Sequence, residues 1–282
     1  MDKLKVCYTI RDNLGDSINP LIFNKVFGVS IERKNEFLCD ISGIGSGLRR
    51  FFVVPKSLRQ KINMLKGKFC FKKLIIFSAG FLSTPTGNEK LLRKNICFCS
   101  VRGELSRRYI SKIMKKEIEC STGDAGLLAD RLIDYKSVEK KYDVGIIPHD
   151  KERGELFYVE LQKKIPNSII IDVRGDVISR LEEIASCKTI VTSSLHGLII
   201  SDSFHIPNLH VKLTNKLSGD GFKFKDYYSC YGLEDICINL NYFSNITREY
   251  IENNYKIDYD LIENKKNEIV NSFNSIFDKH KK

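Results

Sequence analysis

The chain has no long apolar run. Stretches such as Leu74 to Phe77 end far short of the ~20 residues that a membrane-crossing helix needs. Its opening, Met1-Asp2-Lys3-Leu4-Lys5, leads into a strand-like segment and carries no apolar core of the kind a secretory leader requires. Both absences point to a cytoplasmic protein. Close cysteine pairs are also missing. Nine cysteines, an odd number, are scattered without one CxxC, and zinc ribbons and redox dithiols need that spacing to bring two thiolates onto one centre. Cys97 and Cys99 would share a face in a strand, but the set as a whole reads as buried thiols in a reducing compartment. No metal site is expected. The sequence shows neither an internal repeat nor a low-complexity tract. A GxGxxG within a βαβ unit and a Walker lysine sequence are absent as well, which removes the simplest nucleotide-binding readings.

Acidic residues are missing from one long stretch. None occurs between Asp40 and Glu89, while Arg49, Arg50, Lys56, Arg59, Lys61, Lys66, Lys68, Lys72 and Lys73 all fall there. These nine cations nearly account for the net charge of +11. They alternate with Phe51, Phe52, Leu58, Ile62, Met64, Leu65, Phe69 and Phe71. A one-sign block beside apolar residues suits an anionic partner: acidic lipid headgroups, a phosphorylated substrate or nucleic acid. A recognisable RNP, helix-turn-helix or zinc-finger context is lacking, so nucleic acid is not expected. The segment 49–73 is instead read as a peripheral contact with the inner face of the cell membrane.

What is present is the alternation of an α/β protein with parallel sheets. The 282 residues, 42% of them hydrophobic, can build real cores and favour two modest domains. Early strands are predicted at Lys5–Thr9, Phe51–Val54, Leu74–Phe77 and Ile96–Ser100, with a helix from Gly103 to Lys115, where Leu105, Tyr109, Ile110 and Ile113 share a face. The charged run Asp134 to Lys141 reads as a linker. Beyond it come strand Asp143–Ile147, an amphipathic segment from Glu152 to Lys164, strand Ser168–Val173, helix Asp176–Ser186, strand Thr189–Ser193, helix Leu195–Phe204 and strand Asn208–Leu213. The expected architecture is two Rossmann-like domains facing across a cleft, 1–135 and 142–245, the GT-B arrangement. A helical tail, 246–282, packs across them.

In open α/β sheets, ligands gather at the carboxyl ends of the strands. The segment Ile190 to Ile200 is the most informative on that rule. An apolar strand ends in Ser193 and Ser194, either of which can cap the helix that follows, and its first amides favour an anion. His196 lies in the first turn, with Gly197 leaving room for a ligand. Its imidazole can bind phosphate or move a proton near neutral pH. The turn Asn13-Leu14-Gly15-Asp16 follows the first strand; Asp16 can cap a helix there or orient sugar hydroxyls. Two glycine clusters, Gly43 to Gly47 and Ser78 to Phe81, also follow strands. Arg102 leaves a strand and opens a helix, where a guanidinium can grip an oxyanion. His149 ends another strand. Lys212, Lys216, Lys223 and Lys225 can close a cationic pocket around Ser218 to Gly221.

In this order the segments resemble the polysaccharide pyruvyl transferase family. The pieces that carry the likeness are Asn13-Leu14-Gly15-Asp16, the Gly-Ser-Gly turn, Val101-Arg102-Gly103 with Ser106, Gly123-Asp124, Gly145 to His149, and Ser193-Ser194-Leu195-His196-Gly197-Leu198-Ile199, with Phe204 to Asn208 after them. The likeness extends from about residue 8 to 228. It implies a GT-B-like fold and transfer of a pyruvyl unit from phosphoenolpyruvate onto two hydroxyls of a sugar, forming a cyclic ketal in a surface polysaccharide or its lipid-linked precursor. No cofactor is implied beyond that co-substrate. Residue by residue, it implies catalytic roles for His196 and Arg102 and donor binding by Lys216, His149, Ser193, Ser194 and Gly197. The acceptor would meet Asn13, Gly15 and Asp16. Some members have an arginine where this chain has Ser194, so that anion contact is absent or supplied elsewhere. The competing reading is a GT-B glycosyltransferase with a nucleotide-sugar donor.

Overall fold

A computed structural model describes residues 3–214, 217–240 and 246–277. In the first half lie β1 (Leu4–Cys7), β2 (Ile31–Arg33), β3 (Ile41–Ser42), β4 (Phe52–Val53), β5 (Leu74–Ile76), β6 (Lys90–Leu91), β7 (Ile96–Phe98), β8 (Ser100–Val101) and β9 (Ser121–Thr122). The second half holds β10 (Tyr142–Ile147), β11 (Ser168–Ile170), β12 (Cys187–Thr192), β13 (Asn208–Lys212) and β14 (Ile238–Asn239). Two five-stranded sheets result, ordered β2-β1-β3-β5-β7 and β11-β10-β12-β13-β14. Every pairing in them is parallel. In both sheets the first strand sits between the second and third. This repeat of topology has no counterpart in repeated sequence. It places a switch point, where neighbouring connections depart in opposite directions, between β1 and β3 and again between β10 and β12.

The helices are α1 (Leu14–Ser17), α2 (Asn19–Leu21), α3 (Leu58–Lys68), α4 (Glu104–Met114), α5 (Leu156–Lys164), α6 (Val177–Ala185), α7 (Leu195–Ser203), α8 (Phe222–Ser229), α9 (Arg248–Asn254) and α10 (Tyr259–Phe277). The expected βα rhythm of the second half is therefore present. Its first helix is shorter than the amphipathic pattern implies, because Asp150–Glu152 forms a separate 3-10 turn. Two corrections concern the first half. Phe51–Val54 does not enter the parallel sheet: Phe52 and Val53 pair antiparallel with Leu91 and Lys90. The places in the sheet go to β2 and β3, three and two residues long, too short to show a period. The run from Asp134 is also less detached than a linker. Lys140 donates to the carbonyls of Ala185 and Cys187 at 2.7 and 2.8 Å, and Tyr135 stacks on Phe204 with ring centroids 5.0 Å apart.

Each half has an apolar cluster of its own, but the largest cluster runs through both. It joins Val6, Leu14, Ile41 and Phe77 to Leu181, Ile190, Leu198 and Ile199. The polypeptide also bridges the halves directly: Leu14 N–H donates to the Val173 carbonyl at 2.7 Å, and Gly175 N–H to Asp12 Oδ1 at 2.9 Å. The C-terminal helix α10 packs on the first half. Phe273 stacks on Phe27 and meets Phe23 and Phe77 edge-on. Gly123, at φ +152°, makes way for Ile269, whose Cδ1 would lie 2.8 Å from a Cβ there.

Candidate active site around His196

The loops that leave both switch points meet at His196. Asn13 has extended backbone and its side chain accepts from Gly15 N–H at 3.0 Å, so Asn13, rather than Asp16, caps α1. That turn presents the bare Cα of Gly15 to the imidazole: a Cβ there would stand 1.9 Å from His196 Nδ1. A Cβ on Gly126 would stand 3.8 Å from His196 Cδ2, and one on Gly45 would lie 4.0 Å from Cε1. Three glycine-bearing loops of the first half thus pack around a histidine of the second. Nε2 of His196 is buried and has no hydrogen-bond partner among the described residues. Burial, then the positive charges of Lys223 and Arg102, hold the imidazole down to about 3, so it is neutral at ordinary pH.

The other side of the site is a saturated polar network. Thr192 Oγ1 donates to the Ile147 carbonyl at 2.8 Å and accepts from Ser194 N–H at 2.9 Å. Ser193 Oγ donates to Glu152 Oε2 at 2.7 Å, lies 2.9 Å from Tyr158 Oη and accepts from His149 N–H. Neither serine side chain caps α7, which corrects the capping expectation. The first amides of that helix, which have no partners within the helix, are left for an incoming acceptor group. The room at Gly197 is taken by Thr192, whose Oγ1 would lie 2.4 Å from a Cβ there. That glycine brings α7 close to β12. His149 Nδ1 accepts from Lys151 N–H at 3.1 Å. Burial, followed by the charge of Lys223, holds His149 down to about 4.

Arg102 is fully buried and its donors are largely engaged. Nε and Nη2 meet Asp226 Oδ2 at 3.0 and 2.9 Å, Nη1 donates to Ser46 Oγ at 2.9 Å, and Nη2 donates to the Phe81 carbonyl at 2.5 Å. The planar group lies on Gly80, where a Cβ would stand 2.3 Å from Cζ. Asp226 also accepts from Ser106 N–H and Oγ, both at 2.7 Å. Arg102 therefore locks α8 to the first half. At the start of α8, after Gly221 at φ +82°, stands Lys223. It is buried, and among the described residues its amine makes no hydrogen bond or ion pair; it lies 4.8 Å from the Phe224 ring centroid. Burial, then repulsion from Arg102 and Lys151, pulls it down to about 8. A cavity of about 440 Å³ opens beside it, lined also by Lys212, Thr214, Asp220 and Lys225.

Of the residues singled out in the sequence, the structure gathers Gly15 and Gly45 onto His196, and the field of His149 and Arg102 reaches the same ring. Asp16 follows Gly15 in α1, with its carboxyl pushed up by burial to about 6 and no hydrogen bond to it among the described residues. Lys216 lies outside the described residues. Sequence reading missed Glu152 and Tyr158, the anchors of Ser193, and named Lys223 without distinguishing it from its neighbours. Asp124 was part of a motif but not a candidate. It is fully buried with Oδ2 unpartnered, and burial raises it to about 6.

Two parallel five-stranded sheets share a core, and polar segments at their carboxyl ends meet around His196, which defines an α/β protein of two wound sheets. The model of the family described as polysaccharide pyruvyl transferase matches residues 39–214, and the chain belongs to that family. It is 35% identical over 197 residues to an uncharacterized protein, L143, of Acanthamoeba polyphaga mimivirus; the match spans 64% of this chain and 66%, just under two thirds, of that relative. A solved structure of a functionally uncharacterized protein from Klebsiella pneumoniae shares the fold, with a TM-score of 0.50 and 12% identity over 84% of this chain and 92% of that one.

Proposed function

We propose that the chain is a ketal-forming pyruvyl transferase that takes phosphoenolpyruvate as donor and a sugar diol as acceptor, in the cleft of a GT-B-like pair of lobes. The observation that carries this reading is Lys223: a buried ammonium with no carboxylate partner among the described residues, beside two neutral histidines and an uncapped helix. Burying a lone cation is costly, and a dianionic phosphate with a neighbouring carboxylate would compensate it. The donor phosphate is assigned to Lys223, the first amides of α7 and His149; the family resemblance adds Lys216, which lies outside the described residues. Arg102, whose donors are engaged by Asp226, Ser46 and Phe81, is assigned as a positioning residue that holds α8 and adds positive field. Asp16 is assigned to the acceptor hydroxyls.

Arrival of the donor's negative charge raises the pKa values of His196 and Lys223 and draws a proton onto the imidazole. His196 gives that proton to the methylene carbon, and C2 becomes electrophilic. The first sugar hydroxyl adds to C2 and returns its proton to His196. Phosphate then leaves with the electron pair of the C2–O bond. The second hydroxyl takes its place and its proton goes to phosphate, closing the ketal. Calorimetric titration with phosphoenolpyruvate and with a panel of nucleotide sugars tests the reading. Donor binding by the wild type that is lost in Lys223→Met supports it. So does a mass gain of pyruvate less water on a sugar acceptor. Binding of a nucleotide sugar without phosphoenolpyruvate would favour a glycosyltransferase instead.

A further inference from the structure

Helix α3 is turned inside out. A surface helix ordinarily buries its apolar stripe and exposes its polar face, but here the only buried residue is Gly67, where a Cβ would stand 1.9 Å from the Leu92 carbonyl oxygen. Leu58, Ile62, Leu65 and, just past the helix, Phe69 are exposed by 74, 45, 56 and 70%. At ~100° per residue these four fall within an arc of about 60°, roughly opposite Gly67. Arg59 and Lys66 flank the arc on one side, Lys61 and Lys68 on the other, all of them exposed. Exposed Phe71 and Leu38 extend the apolar surface beyond the helix end. Lys72 is engaged by Asp40 and is not counted among the free cations. Ser57 and Gln60 form a complete capping box, so the helix is specified locally although little of it is buried.

We propose that this face docks on an anionic lipid bilayer, with the Leu58–Phe69 stripe entering the headgroup boundary and the two cationic rows meeting acidic headgroups. An aliphatic stripe between rows of lysine and arginine is the design of an interfacial helix. Nucleic acid offers nothing to a ridge of Leu and Ile. A second copy of this chain would bring the same cations against its own, since no acid occurs from residue 41 to 88. Among the described residues no helix is long and apolar enough to cross a membrane, so attachment is peripheral and reversible. None of these residues belongs to the His196 site, so vesicle binding and turnover are independent readouts. Docking would bring the enzyme to an acceptor carried on lipid.

The test is flotation of the full chain with phosphatidylcholine vesicles, with and without phosphatidylglycerol, at low and high salt. The expected result is binding only when phosphatidylglycerol is present, weakened by salt. A triple variant, Leu58→Gln with Leu65→Gln and Phe69→Gln, should bind at least about tenfold more weakly with an unchanged circular dichroism spectrum. A charge variant, Lys61→Glu with Lys68→Glu, should lose the preference for phosphatidylglycerol. No flotation with either vesicle, or equal flotation of wild type and triple variant, overturns the proposal. So does a dimer by light scattering that the triple variant dissolves, or tight DNA binding that it leaves intact.

Discussion

Gly15 lies so close to His196 that a single added methyl carbon would stand 1.9 Å from the imidazole Nδ1. The glycine belongs to α1, the short helix after the first strand of one sheet, and the histidine to the helix after the third strand of the other. Their contact is where the halves agree on a position for the ring. Gly15→Ala should leave the fold in place but push the imidazole aside. If His196 has the catalytic role proposed for it, a displacement of about 1 Å costs on the order of 100-fold in turnover, and overpacking at such a site destabilises by ~1–3 kcal/mol. Steady-state kinetics and thermal unfolding of the same preparation measure both. An active Gly15→Ala protein would mean that His196 does no chemistry.

Arg102 and Asp226 make a different prediction, one of stability. Both are fully buried, and Asp226 Oδ2 takes two nitrogens of the guanidinium while also serving Ser106. Removing one partner leaves an uncompensated charge in the interior. Arg102→Met or Asp226→Leu should each cost ~3–5 kcal/mol, and the double variant less than the sum. Urea unfolding of the four proteins gives the cycle. If Arg102→Met unfolded at the wild-type urea midpoint while losing activity, the arginine would belong to the substrate rather than to the helix.

The loops carrying Gly15, Gly45, His149 and His196 were legible in the sequence because each follows an apolar strand, and strand ends are where ligands collect. The capping serines were misread because a hydroxyl at a helix start has other uses. Ser193 turns inward to Glu152, and Thr192 serves the amide of Ser194. Lys223 and Glu152 could not be distinguished from their neighbours, since a lysine becomes unusual only when folding removes both its water and its partner. For α3 the basic and apolar block was read as a surface segment, but neither the helix nor the direction of its stripe was. Periodicity says that a helix has a face, and here one close contact at Gly67 decides which way it looks.

Lys223 also gives a pH signature separate from catalysis. Its pKa of about 8 in the folded chain lies below the ordinary 10.5, so between those values the unfolded chain holds the extra proton. Stability therefore rises with pH across that window, relative to a variant without the amine. Wild type compared with Lys223→Met should show a flat difference below about pH 8. Above it, the difference should shift by up to ~3 kcal/mol toward wild type by pH 10.5. Chemical denaturation at spaced pH values reads this directly, and a flat difference throughout would show that the amine is solvated. Phosphoenolpyruvate affinity should fall over the same rise in pH, as the free amine loses its charge.

Glu152 joins stability to the proposed donor pocket. One oxygen accepts from Ser193 Oγ and Tyr158 Oη, both at 2.7 Å; the other accepts from Thr214 N–H at 2.9 Å and Oγ1 at 2.7 Å. Burial works to raise this carboxyl, but the hydrogen bonds from Ser193, Thr214 and Tyr158 outweigh it and the pKa is lowered. A carboxyl lowered in the folded chain contributes its stability above the unfolded value and loses it as pH falls through the folded one. Glu152→Gln turns one acceptor into a donor and sets it against hydroxyl and amide donors, at a cost of ~1–3 kcal/mol near neutral pH. The gap should begin to narrow as pH falls below the ordinary glutamate value of 4.5 and close only once pH has passed below the lowered pKa of the folded chain. Because Thr214 lines the cavity beside Lys223, the variant should raise KM for phosphoenolpyruvate, the proposed donor, more than it lowers kcat. An equal fall in kcat and kcat/KM would instead place Glu152 in the chemical step.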